Sequence, residues 1–203
     1  NRPRLTSAAG IEGATTMAFK NFKLETDADG IALATWDIPG RSMNVLDETS
    51  TSELEAILKQ TTEDAAVKGV VITSAKEAFC AGADLSMLEG MNVAYAKMLK
   101  EKGEEAANQM LFEQSRRFSL VLRGIETCGK PWAAAINGLA LGGGFEVTLS
   151  CHYRVAAENP KTRLGLPEIK VGLFPGAGGT QRVPRIVQPQ DAMQLLLKGE
   201  AIN

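Results

Sequence analysis

Residues Ala135–Glu146 read AINGLALGGGFE. An apolar strand runs into Asn137–Gly138, three consecutive glycines follow (Gly142, Gly143 and Gly144), and a carboxylate, Glu146, comes next. Val147 to Cys151 continues as an apolar helix. A strand, a glycine corner and a helix start in this order point to an α/β fold. Glycine lets a backbone approach a ligand closely and adopt angles that other residues resist. The first N–H groups of the new helix lack internal partners and face outward, backed by the positive end of the helix dipole. The same glycines suit a tight turn kept for packing alone. From this stretch both readings stand.

The whole chain narrows the choice. Its 203 residues, 44% apolar and 23% charged, fit one globular domain with a substantial core. With 22 basic and 24 acidic residues and no basic stripe, nucleic acid is not an expected partner. Cys80, Cys128 and Cys151 are odd in number, scattered, and form no CxxC, which suits free thiols in a reducing compartment. The single histidine, His152, adjoins Cys151, so no metal site is expected. His152 reads instead as a packed or hydrogen-bonded residue at a helix end. A Ser–His–Asp triad would need that same histidine, and no GxSxG occurs. No run approaches the ~18 apolar residues of a membrane span. Residues 1–16 carry Arg2 and Arg4 without an apolar core, so they are not read as a secretory signal. They are expected to be a disordered tag or leader, with a transit-peptide remnant as the alternative and Met17 as the natural start.

In order, Phe19–Thr26 and Ile31–Asp37 read as a hairpin around the Asp27–Gly30 turn. Asp47 is placed to cap a helix to about Thr62, with Leu54, Ile57 and Leu58 on one face. Val70–Thr73 is a buried parallel strand. Phe79–Leu85 forms a second small-residue corner. Residues 91–109 read as an exposed helical insert, and Met110–Ile125 as an amphipathic helix. Trp132–Ile136 and Tyr153–Ala157 are strands. Pro175–Arg182 is a third glycine-rich corner opening a helix, and Asp191–Lys198 is a last helix stopped by Gly199.

Neither Gly142–Gly144 nor Gly176–Gly179 fits a nucleotide loop. The better constellation joins the corners at Ala83 and Gly143 to the carboxylates Glu146 and Glu168. One backbone N–H from each corner, converging on a carbonyl oxygen, makes an oxyanion hole for an enolate. Two nearby carboxylates can hold a water and handle two protons, and their like charges push one pKa upward. Taken singly, Glu146 also fits a dipole-favoured first-turn carboxylate and Glu168 a surface residue after a proline.

Three motifs in sequence, FCAGADL (79–85), AAINGLALGGGFE (134–146) and LGLPEIKVGLFPGAGGTQR (164–182), resemble the crotonase superfamily and, within it, the enoyl-CoA hydratases. The resemblance spans Phe19–Asn203. It implies a crotonase (ClpP-like) spiral of repeated ββα units over residues 17–203, without the C-terminal helices that complete the family's domain. It implies oxyanion donors at the N–H groups of Ala83 and Gly143, for the thioester carbonyl of an acyl-CoA. Glu146 would activate the water that attacks the β-carbon and Glu168 would protonate the α-carbon. The reverse reaction would use Glu168 as base. Met43, Asn44, Val45 and Leu46, with Ala81, Gly82, Asp84, Leu85 and Gly142, would line the substrate and CoA site. The implied reaction adds water to a trans-2-enoyl-CoA and needs no metal or redox cofactor, coenzyme A being part of the substrate. Isomerases of the superfamily often lack a glutamate at the Glu146 position. An enoyl-CoA isomerase and a non-catalytic acyl-CoA-binding module are the alternatives.

The run SCHYRVAAENPKTRLGLPEIKVGLFPGAGGTQRVPR (150–185) is similar to the hydratase part of multifunctional fatty-acid oxidation α-subunits. In those proteins a 3-hydroxyacyl-CoA dehydrogenase follows and a thiolase subunit can bind. The resemblance thus implies either a homo-trimer or hexamer, or a complex with thiolase. The implied location is a bacterial cytoplasm, or alternatively the mitochondrial matrix.

Overall fold

The computed structural model describes residues 15–202. The expected leader, residues 1–16, lies outside them except for Thr15 and Thr16. These two open strand β1 (Thr15–Ala18), antiparallel to β2 (Phe22–Thr26). A single strand over Phe19–Thr26 is therefore corrected to a turn followed by a strand. The chain turns because the Glu53 carboxylate accepts the N–H groups of Lys20 (2.7 Å) and Asn21 (2.8 Å). The Asn21 amide is drawn inward onto Ser50 Oγ at 2.9 Å. Amides committed this way cannot also serve a β-ladder.

Strand β3 (Ile31–Trp36) returns antiparallel to β2. In the turn, Asp27 Oδ1 accepts the N–H groups of Asp29 and Ile31, and Gly30 takes the left-handed φ of +85°. The remaining strands are β4 (Gly69–Ser74), β5 (Trp132–Ile136), β6 (Ala140–Leu141), β7 (Tyr153–Ala156) and β8 (Leu164–Gly165). The main sheet has the order β1-β2-β3-β4-β5-β7, parallel from β3 onward. Its alternate residues Ala34, Trp36, Ile72, Trp132 and Ala134 are fully buried. Trp36 stacks on Phe22 with centroids 5.0 Å apart and meets the edge of Phe79 at 6.2 Å.

A smaller second set of pairings stands beside the main sheet. Leu46 pairs with Ala83, Cys80 with Ala140, and β6 with β8, all in parallel. Each unit therefore reads long strand, short strand, helix. After β3 and Leu46 comes α1 (Glu48–Glu63), and after β4 and Ala83 come α2 (Leu85–Lys102) and α3 (Glu104–Thr127). After β5 and β6 comes α4 (Gly143–Ser150). After β7 and β8 come a 3₁₀ turn (Pro167–Val171), α5 (Gly179–Ile186) and α6 (Pro189–Leu197). This is the spiral of ββα units that the motifs imply.

The expected insert at 91–109 is not a separate element. Gly103, at φ +84°, ends α2 and starts α3, so the segment is the larger part of one helix and the beginning of the next. Ala107 within it is buried. The capping reading holds at α1, where Asp47 accepts the Ser50 N–H at 2.7 Å.

The loop between β3 and α1 hangs on Asn44, which is fully buried. Its Oδ1 accepts the Ile38 N–H at 3.0 Å, and its Nδ2 donates to Trp36 O, Ser74 Oγ and Phe79 O at 3.0, 2.9 and 3.2 Å. Asn44→Ala strands those groups without partners and is expected to cost about 3 kcal/mol in urea denaturation. A loss below about 1 kcal/mol would show that the loop does not depend on the amide.

Candidate active site

The first corner is shaped by its ladder. Leu46 N–H donates to Gly82 O and Asp84 N–H to Leu46 O, both at 2.8 Å. These bonds use the residues on either side of Ala83. In a parallel pairing the intervening residue's own N–H then points away from the partner strand. That of Ala83 has no hydrogen-bond partner among the described residues. Gly82 makes the turn at φ +105°.

The second corner repeats the device. Gly142, at φ +53°, donates its N–H to Gly165 O at 2.9 Å. Gly143 is the first residue of α4, and its N–H also has no partner among the described residues. The two corners touch: a Cβ on Gly142 would lie 3.7 Å from Gly82 Cα, and one on Gly82 3.2 Å from Leu141 O. A Cβ on Gly143 would lie 2.5 Å from Leu46 Cδ1, and one on Gly144 2.6 Å from Cys80 Cβ.

Glu146 sits in the first turn of α4 and is only 3% exposed. Its Oε1 accepts the N–H groups of Ala177 (2.9 Å) and Gly179 (2.8 Å). Gly179 opens α5, so the carboxylate faces a helix N-terminus. Burial raises its pKa, while the two N–H donors and Arg182 oppose the rise. Glu168 stands on the 3₁₀ turn, and its buried Oε2 has no partner. Burial pushes its carboxyl up to about 7, its own backbone N–H opposes this, and the Glu146 charge adds to the rise.

Ala83, Gly143, Glu146 and Glu168 line one cavity of about 770 Å³. Leu46 lines it too, and Met87 and Met91 of α2, Phe118 of α3 and Phe174 wall it. The other residues read as substrate-lining are not among those that line this cavity. Asn44 is committed to the core, Gly82 and Gly142 are the buried pivots of the corners, and Val45 and Ala81 are half-buried behind them. Met43 and Leu85 point to solvent, Leu85 at 74% exposure. Asp84 caps α2 through the Ser86 N–H and pairs with Arg41 at 2.6 Å. The Ser86 hydroxyl and then Arg41 hold its carboxyl at about 2.

The sequence reading missed the clamp on Glu146 and the apolar walls. PGAGGTQR was recognised as a helix-opening corner, but its open N–H groups were not matched to Glu146. The walls carry only a faint signal, Met87 and Met91 at helical i,i+4 spacing. His152 takes the hydrogen-bonded role expected of it, with Nδ1 accepting the Trp132 N–H at 3.1 Å. Among the described residues no cluster of His, Cys, Asp and Glu could hold a metal ion, and no helix is long and apolar enough to cross a membrane.

The sequence profile of the Enoyl-CoA hydratase/isomerase family matches residues 26–203. The chain belongs to that family. Among its relatives, the fatty acid oxidation complex subunit alpha of Idiomarina loihiensis is 42% identical over 186 residues, and that of Shewanella halifaxensis 40% identical over 186 residues. Each alignment covers 91% of this chain and 24% of the relative, so the chain spans about a quarter of the length of these proteins. The crystal structure of an enoyl-CoA hydratase from Bacillus anthracis matches with a TM-score of 0.75 and 34% identity. That match covers 90% of this chain and 64% of the other.

Within this member of the hydratase/isomerase family, Glu168 holds its proton more tightly folded than unfolded. Its contribution to stability is therefore fully present below the ordinary value of 4.5 and is lost as the pH rises through about 7. Glu168→Gln is expected to gain stability relative to the parent between pH 5 and pH 8 in urea denaturation. A stability difference that stays constant across that range would contradict the raised value.

Proposed function

We propose that the chain is an enoyl-CoA hydratase domain that adds water across a trans-2-enoyl-CoA to give a 3-hydroxyacyl-CoA, in the β-oxidation of fatty acids. The observation that carries this is the pair Glu146 and Glu168 on one cavity, in unlike surroundings, beside two open backbone N–H groups. The Ala83 and Gly143 N–H groups would receive the thioester oxygen. Ionised Glu146 takes a proton from water as the hydroxyl oxygen bonds to the β-carbon. The displaced π electrons move through the α-carbon onto the thioester oxygen, where the two N–H groups stabilise the enolate. Collapse of the enolate forms the α-carbon–hydrogen bond with the proton of Glu168. The pair starts and ends with one proton, and a transfer from Glu146 to Glu168 resets it.

Every charge in this scheme is met by a group of the chain or of the substrate, so it calls for no redox or metal cofactor. The names of the relatives support a place within a larger fatty-acid oxidation protein. The subunit partners, a dehydrogenase segment and a cytoplasmic location are parts of the same proposal. Its three cysteines, all free, fit a reducing compartment.

Two measurements test the roles. Glu146→Gln is expected to lower hydration of crotonyl-CoA, followed by loss of absorbance, about 10²–10⁴-fold. Hydration at the wild-type rate would remove the water-activating role. Because the active pair carries one proton, kcat/KM is expected to fall on the alkaline side through about 7, as Glu168 loses it. A profile flat from pH 6 to 9 would refute Glu168 as the proton donor.

A further inference from the structure

The clamp on Glu146 is itself held from behind. Helix α3 presents Ser119 and Glu126, two helical turns apart and so on one face, toward the loop before α5. Ser119 Oγ donates to Gly176 O at 3.2 Å. Glu126 Oε1 accepts from Arg182 Nε at 2.7 Å. Arg182 Nη1 in turn donates to Ala177 O at 2.6 Å. Ala177 is thus pinned on both sides, its carbonyl by Arg182 and its N–H by Glu146. Gly178 takes φ +99°, and a Cβ there would lie 2.6 Å from Arg182 Nη1, so the guanidinium fills the space that a side chain would need. The Arg182 side chain is 13% exposed and that of Glu126 26%. A shielded, charge-assisted pair of this kind fixes geometry better than an exposed one.

Arg182 is not among the residues that line the cavity. We propose that Arg182, anchored by Glu126, is a positioning residue for hydration: it fixes the Ala177 N–H on Glu146 and keeps that carboxylate in its water-activating form. This rests on the hydratase reading above. The charged group acting on Glu146 is Arg182 from α5, and Glu168 of the 3₁₀ turn faces it, its own carboxyl raised in part by the Glu146 charge. Glu126 and Arg123 of α3 reach it through Arg182, while β5 and β6 bring no charged side chain. Loss of Arg182 removes both a positive charge and the brace on one of the two donors. Glu146 then protonates at higher pH.

The test is the acid limb of kcat/KM for crotonyl-CoA. Arg182→Met is expected to move that limb up by about one pH unit and so to lower kcat up to about tenfold on the acid side of the parent's limb, with KM nearly unchanged. Each rate is divided by the folded fraction measured by circular dichroism at the same pH, so that acid unfolding of a variant cannot move the limb. Glu126→Ala, a milder change on the outer partner, is expected to shift it in the same direction, and the double variant to shift it no further than Arg182→Met alone. Glu126→Gln keeps an acceptor for Arg182 and is expected to recover most of the shift. If Arg182→Met and Glu126→Ala lose activity with the limb unmoved, the pair is structural only and the proposal falls. Absence of hydration in the parent would instead overturn the hydratase reading.

Discussion

The parallel pairings beside the main sheet determine what this fold can do. Where Leu46 pairs with Ala83, the bonds use the Leu46 N–H and carbonyl and the groups flanking Ala83, so the Ala83 N–H is left open. Where β6 pairs with β8, the last bond of the ladder is made by Gly142, and the next residue enters a helix with no acceptor behind it. The pair of open N–H groups is not a decoration on the scaffold. It is what remains when two neighbouring units of the spiral complete their own hydrogen bonds and turn into helices. The glycine pivots, touching one another, bring the two remainders to one cavity.

Two glutamates in the same cavity become different acids because their neighbours differ. Glu146 loses nearly all its water but gains two backbone donors, one of them at a helix N-terminus. Glu168 loses about as much water around one oxygen and gains no donor there. Its neighbour's charge then adds to the cost of ionisation. In the proposed hydration this asymmetry would divide the labour: the clamped carboxylate would serve as base, and the unclamped one would keep a proton to give. Equal environments would leave the shared proton without a preferred seat.

Much of this was legible in the sequence, and the parts that were not share a cause. Hairpin, caps and long strands follow from local rules: Asp27–Gly30 for the turn, Asp47 for the helix start, Val70–Thr73 for the buried strand. The two-residue strands β6 and β8 were not readable, since Ala140 and Leu164 carry no periodicity and acquire meaning only by pairing with each other. The turn at Phe19–Asn21 was hidden for the same reason, its determinant being Glu53, more than thirty residues away. At the site, the motif residues Ala83, Gly143, Glu146 and Glu168 come together, whereas Asn44, adjacent to the site in sequence, turns its amide into the core. Proximity along the chain is a poor guide where a loop needs an internal anchor.

The three glycines of the opening stretch show why packing and chemistry were not rival explanations. Gly142 is needed for its angle, since φ +53° with ψ −132° excludes an ordinary side chain. Gly144 is needed for room, because Cys80 fills the place of its Cβ with Cβ, Sγ and carbonyl oxygen together. Gly143 lies between them, and its missing Cβ lets Leu46 pack against the corner. That contact sets the first turn of α4 against Leu46, the residue that pairs with Ala83. Gly143 thus carries a packing contact and an open N–H at once. On the proposed mechanism, a variant that kept the angle at 142 but opened the contact at 143 or 144 would retain the turn and the clamp on Glu146 while loosening the donor meant for the enolate.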